Sequence, residues 1–180
     1  MVNGVRHYRW WLGQGMVWLL SGMLLFAIPH VAGKLPQQLD RVESGVLQCR
    51  AEQVLDGDTL LAVCGPLRLR IRLLGIDAPE MGQAPYGTLA RDALRLRLRG
   101  AFTAKVHGLD VYERTLAVLV DGAGDVNAWL VREGFAVAYR GKDTPDAYVA
   151  AERAAKREKR GVWQAPGLQQ DPRTWRRYFL

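Results

Sequence analysis

Histidine is scarce in this chain. Of 180 residues only three are histidine, and His7 and His30 stand in or beside an apolar N-terminal segment. His107 alone is left for the folded part, which excludes sites built on several imidazole ligands or on a His base with a His partner. Two cysteines, Cys49 and Cys64, are too few for a zinc ribbon. No Walker loop and no G-x-G-x-x-G stands ahead of a helix, so those modes of phosphate cradling are excluded too. Internal repeats and low-complexity stretches are also missing. What is left for chemistry is carboxylate and arginine, with room for a hard metal ion.

What is present suits one domain of ordinary size. Apolar residues make up 49% of the chain, enough to build a core. Lys+Arg number 25 against 18 Asp+Glu, a net charge of +7. That balance suits a partner rich in phosphate or anionic lipid and specifies neither.

Residues 10–33 carry no charge and follow Arg6 and Arg9. Met16 to Ile28 is an apolar run broken only by Ser21 and Gly22. A positive n-region before an apolar h-region reads as a signal peptide over 1–33, with Ala32-Gly33 as a cleavage site. His30 fits the A-x-A pattern poorly, and the uncharged stretch over 10–32 is long enough to span a bilayer if uncleaved. The competing reading is a buried helix of the main domain. Export to the periplasm or the exterior is the expectation, whether released or membrane-anchored. Residues 34–45, polar and holding Pro36, read as a linker.

Export gives the cysteines an oxidising context. Asp56-Gly57 is a hairpin-turn pair between two strand-like runs. A two-residue turn there pairs Leu55 with Asp58, and counting outward sets Cys49 opposite Cys64. A cross-strand disulfide is expected, with a bulge adjusting the register. The alternative is two buried thiols acting as small hydrophobes.

The pattern continues with strands over 46–55 and 58–63. Leu67 to Leu73 alternates strictly, one face apolar and the other a stripe of Arg68, Arg70 and Arg72. A helix over 86–98 follows, then strands over 102–106 and 114–120. Asp125 caps a helix running to Val131. Thr144 is expected to cap a last helix over 146–159, with Pro145 in its first turn. A basic, aromatic tail over 166–180 ends the chain. Five short strands with a helix between the third and fourth predict a mainly β, α+β fold. It is a five-stranded barrel of the OB type with three helices, preceded by an N-terminal apolar helix.

Topology then gathers chemistry. Asp58 opens the second strand, and Arg72 and Asp77 close the third, so antiparallel pairing brings them to one end of the sheet. Glu80, three residues beyond Asp77, can turn back to the same place. Clustered carboxylates repel unless a cation lies between them, and oxygen-only ligands suit calcium or magnesium. An arginine there is a fork for phosphate oxygens. Metal, carboxylate and arginine together describe phosphodiester hydrolysis. The plainer alternative is an ordinary hairpin turn beside a solvated arginine face.

Six segments weigh against that alternative: VLDGDT (54–59), RLLGIDAPE (72–80), Tyr86-Gly87, DVYER (110–114), VNAWLVREGFA (126–136) and AKREKRGVW (155–163). In this order and spacing they resemble the staphylococcal-nuclease family over residues 46–163, so 46–165 reads as the nuclease domain. The resemblance implies a Ca2+ site of Asp58, Asp77 and the carbonyl of Ala78. It implies Glu80 as general base or water-orienting carboxylate, and Arg72 and Arg114 as ligands of the scissile phosphate. Tyr112 and Tyr139 match positions that contact the nucleotide, or else are half-buried packing. Asp56 matches an acidic position behind the calcium ligands. The substrate implied is DNA and/or RNA, and no protein partner is expected.

Three departures stand out. Ala78 replaces a common threonine, Glu113 replaces a glycine, and Gly141 falls where a second stacking tyrosine is usual. Glu113 is expected to pair with Arg114 or to repel phosphate. Two other readings compete with an enzyme: a non-catalytic nucleic-acid-binding module on the same barrel, and a membrane-tethered adaptor docking through the tail.

Overall fold

The computed structural model describes residues 39–141 and 144–180. The expected leader or anchor, its apolar helix and the first five residues of the linker, 34–38, lie outside them. Among the described residues no helix is long and apolar enough to cross a membrane.

Strands β1 (Gly45–Val54), β2 (Thr59–Cys64) and β3 (Leu67–Leu73) form an antiparallel meander. The short β4 (Ile76–Asp77) and helix α1 (Tyr86–Arg97) follow. Strand β5 (Ala101–Leu109) pairs with β1, and β6 (Thr115–Asp121) pairs with β5. A parallel pairing of β3 with β6, Ile71 opposite Thr115, closes the five long strands into a barrel. The strip β7 (Gly124–Asp125) leads into α2 (Val126–Arg132). Strand β8 (Val137–Ala138) pairs with β4 at the barrel lip, and α3 (Asp146–Arg157) packs behind it.

The core follows the alternation. Leu69, Ile71 and Leu73 face inward with Leu60, Ala62, Phe102, Ala104 and Leu119, all buried. Each large aliphatic side chain so buried stabilises by roughly 1.5–3 kcal/mol before entropy is counted. Helix α1 lays Ala90 and Leu94, four residues apart, on the barrel. Asp125 caps α2 by accepting from the N–H of Ala128 at 2.8 Å, as expected. The buried Asn127 accepts from the N–H of Leu119 and donates to the carbonyls of Leu74 and Ala117, tying the β3–β4 turn to β6.

The structure corrects three expectations. Thr144 does not cap α3; its hydroxyl donates to the carbonyl of Tyr139, and Pro145 stands at the N-cap without a side-chain bond. The β1–β2 turn holds three residues, not two: the N–H of Leu55 donates to the carbonyl of Thr59 at 2.9 Å. A bulge at Glu52 restores the register, setting Arg50 opposite Val63. Cys49 and Cys64, next in line, form the expected disulfide. Last, the described residues hold four α-helices rather than the three expected after the N-terminal segment. The tail folds as α4 (Pro172–Phe179), its first turn capped by Asp171, which accepts from the N–H and hydroxyl of Thr174.

Candidate active site

The extra turn residue sets the first carboxylate. With Asp58 in the turn, its N–H donates to Oδ1 of Asp56 at 2.9 Å and its carbonyl accepts from the N–H of Leu73 at 2.8 Å. The Asp58 side chain is thereby turned inward, where Oδ2 accepts from the N–H of Ala78 at 2.8 Å and meets Nη1 of Arg72 at 2.9 Å. The opposing pair Thr59 and Arg72 in β2–β3 places that guanidinium. Its Nη2 reaches Oδ1 of Asp77 at 3.4 Å. Asp77 itself is fixed by β4, paired with β8 through Val137.

Both carboxylates are buried, and burial acts on their charge. It pushes Asp58 up to about 6, offset in part by Arg72 and reinforced by the like charge of Asp56. Burial raises Asp77 as well, with the Arg176 hydrogen bond pulling down and Asp58 pushing up. Two buried, mutually repelling carboxylates are a place where a cation is electrostatically favoured. Among the described residues no group of three or more His, Cys, Asp or Glu is arranged around a metal position. The oxygen donors available to a hard cation at this place are the carboxylates of Asp58 and Asp77.

Glu80 lies beyond Pro79 on the loop into α1. Its N–H donates to Oε1 of Gln83 at 2.7 Å, and Gln83 is itself buried. Gly87 in the first turn of α1 lets that loop approach closely; a Cβ there would stand 2.1 Å from the carbonyl oxygen of Glu80. The Glu80 carboxylate is partly exposed to the cleft, and its Oε1 accepts from Nη1 of Arg176 at 2.7 Å.

Across the cleft, Arg114 sits just ahead of β6, whose first residue Thr115 pairs with Ile71; the barrel closure thus brings Arg114 near Arg72. Asp110 holds it. Its Oδ1 accepts from the N–H groups of Tyr112 and Arg114, and its Oδ2 takes Nε of Arg114 at 2.7 Å. Burial alone would raise Asp110, but these bonds and the guanidinium charge hold it below the usual carboxylate range. Glu113 neither pairs with Arg114 nor turns into the cleft. It adopts φ of 61° and bonds Arg41 at 2.5 Å, so the expected conflict with phosphate is absent.

Tyr112 is 76% exposed, which removes the half-buried packing reading for that ring, whereas Tyr139, 46% exposed, is about half covered at the edge of the cleft. The Arg114 guanidinium lies 5.4 Å from the centre of the Tyr112 ring. The Tyr139 ring lies close over Gly141, in space that a side chain there would need.

Every residue singled out from the sequence for this chemistry lines one open cleft of about 710 Å³: Asp56, Asp58, Arg72, Asp77, Ala78, Glu80, Tyr112, Arg114 and Tyr139. Sequence reasoning missed Asp110, Gln83 and Arg176. Asp110 was legible as a turn acid four residues before an arginine; Gln83 and Arg176 carry no local signal.

Paired buried acids beside a third carboxylate and two arginines suit the chemistry of a nuclease. Comparison with known proteins agrees. The family model described as staphylococcal nuclease homologue matches residues 70–165. The chain is 37% identical to a protein named micrococcal nuclease from Shigella flexneri, over 69% of this chain and 78% of that one. It is 34% identical to an uncharacterized endonuclease from Haemophilus influenzae, over 72% of each. It is 33% identical to protein ParB from Escherichia coli, over 69% of this chain and 76% of that one. The chain belongs to the staphylococcal nuclease family.

Proposed function

We propose that this chain is an exported, calcium-dependent nuclease that hydrolyses phosphodiester bonds of DNA and/or RNA by attack of water on phosphorus. The observation that carries the reading is the convergence, in one cleft, of the buried pair Asp58 and Asp77 with Glu80, Arg72 and Arg114. A calcium ion held by Asp58, Asp77 and the Ala78 carbonyl would supply charge neutralisation at the phosphate. Arg72 and Arg114 bind the non-bridging oxygens and stabilise the charge that builds on them in the transition state. Asp110 fixes the direction from which Arg114 does so. Glu80 accepts the proton of the attacking water. Exposed Tyr112 and Tyr139 offer ring faces to the nucleotide, which favours unpaired or frayed strands. Export, with residues 1–33 as signal peptide or residues 10–32 as membrane anchor, rests on the charge pattern of the N-terminus. The disulfide agrees with it.

The test is hydrolysis of single-stranded DNA and RNA by the full chain with calcium, with magnesium and with chelator, beside Glu80→Gln. Calcium-dependent cleavage that falls on the order of 10²- to 10⁴-fold in the variant is expected. Salt-sensitive binding without cleavage under any metal would refute the enzyme reading and leave a binding module on the same barrel.

A further inference from the structure

In sequence the tail is a basic, aromatic stretch with no link to the cleft. In the structure α4 is fastened to the loop that carries Glu80 by contacts that do not involve its arginines. Trp175 lies against Gly82 so closely that a Cβ there would stand 2.8 Å from the indole. The same indole stacks on Phe179, ring centres 5.1 Å apart. Gln83, which holds the N–H of Glu80, also donates to the carbonyl of Leu168 just ahead of the helix, at 2.9 Å. Asp171 caps the first turn, fixing where the helix starts.

These fastenings aim Arg176 into the cleft. Its Nη1 and Nη2 meet Oδ1 and Oδ2 of Asp77 at 3.0 and 2.8 Å, and Nη1 also meets Oε1 of Glu80 at 2.7 Å. One planar fork thus spans the metal-ligand candidate and the base candidate, with a fixed geometry that a flexible ammonium does not impose. Burial opposes the charge of Arg176, yet its hydrogen bonds to Asp77 and Glu80 raise its pKa further. Among the described residues the Glu80 carboxylate has no other hydrogen bond, so Oε1 is tied and Oε2 is unbonded, on a residue that lines the cleft. An ionised carboxylate offers about four acceptor directions. At Asp77, Arg176 uses two and Arg72 one, and a direction is left for a cation.

We infer that Arg176 is a positioning residue of this nuclease: α4 delivers it to hold the Glu80 carboxylate in one orientation against Asp77, leaving Oε2 to take the proton of water. The inference rests on the proposed role of Glu80. It makes the C-terminal helix part of the active site rather than a solvated nucleic-acid arm. Charge-assisted hydrogen bonds of this kind set the scale of the effect.

The test compares the full chain with R176A, R176K and W175A in kcat and KM on single-stranded DNA, in melting temperature, and in calcium affinity by calorimetry without substrate. R176A is expected to lower kcat by roughly 10- to 100-fold with KM and calcium affinity within about 3-fold. R176K should regain a minor part, and added methylguanidinium should partly rescue R176A but not E80Q. W175A, which unfastens the helix, should move kcat the same way. Equal kcat in R176A and wild type overturns the inference alone. So does calcium binding that tightens 10-fold or more with kcat kept or raised, since Arg176 would then merely obstruct the cation. A KM effect with normal kcat also overturns it. A wild type that does not cleave overturns the reading of Glu80 and the inference with it.

Discussion

Reducing the Cys49–Cys64 bond perturbs this protein with the least chemical change, because no side chain is altered. Both cysteines are buried, and 15 residues of sequence separate them. In the chain-entropy account, closing a loop of that length removes about 3 kcal/mol of freedom from the unfolded chain. At about 3 °C per kcal/mol for a domain of this size, the oxidised protein should melt about 10 °C higher than the reduced one. The readout is thermal and urea unfolding by circular dichroism with and without reductant, with C49A/C64A as a check on the reagent. Because the bond constrains the unfolded state, the urea slope should rise somewhat on reduction. Activity below the reduced melting range should be unchanged. Cys64 and Asp58 lie at opposite ends of β2, six residues or about 20 Å apart. Oxidised and reduced melting points within 2 °C of one another would refute the chain-entropy reasoning. A fall in kcat in folded, reduced protein would show instead that the bond holds the turn of Asp56–Asp58 through the strand.

Three further outcomes are expected. Glu113 holds a φ of 61°, which glycine adopts without strain, so Glu113→Gly should gain about 1 kcal/mol in urea unfolding, less the small loss of an exposed pair with Arg41, and leave kcat unchanged. Asp110→Asn removes the charge that fixes Arg114 while keeping the turn. Cleavage should fall roughly 5- to 30-fold, the equivalent of 1–2 kcal/mol, with melting nearly unchanged. The third concerns pH in calcium-free protein. Burial raises Asp58 from 3.8 to about 6, so the folded state binds the proton more tightly than the unfolded chain. This group therefore adds stability as pH falls from about 7 to about 4, on the order of 2–3 kcal/mol, the reverse of the usual carboxylate. Asp58→Asn should flatten the stability–pH slope in that window, and an identical slope in both proteins would contradict the assigned burial.

What could be read from the sequence was whatever the chain encodes through alternation and neighbourhood. The arginine stripe of β3, the capped start of α2 and the convergence of Asp58, Arg72 and Asp77 all follow from period and antiparallel pairing. The disulfide was also legible, although the counting behind it assumed a two-residue turn. The bulge at Glu52 adds to β1 the residue that the longer turn adds on the other side, and two displacements cancel at Cys49 and Cys64. That cancellation matters to the site. It is the three-residue turn that carries Asp58 off the strand and turns its carboxylate toward Ala78 and Arg72.

Arg176 shows why the rest was not legible. It stands 99 residues from Asp77 and 96 from Glu80, in a segment whose composition reads as a basic surface. Nothing in Asp171 to Leu180 distinguishes Arg176 from Arg173 or Arg177 until the helix exists. The helix in turn gets its direction from Trp175 against Gly82 and from Gln83 against Leu168, which are contacts of shape rather than of pattern. Periodicity can say which face of a helix is basic, but not which of three arginines will be aimed at a buried carboxylate. Fixing that choice takes a rigid anchor one residue away, and Trp175 is that anchor. Substituting Gly82 by a larger residue should therefore injure catalysis as removal of Arg176 does, although Gly82 carries no group that could take part in the reaction.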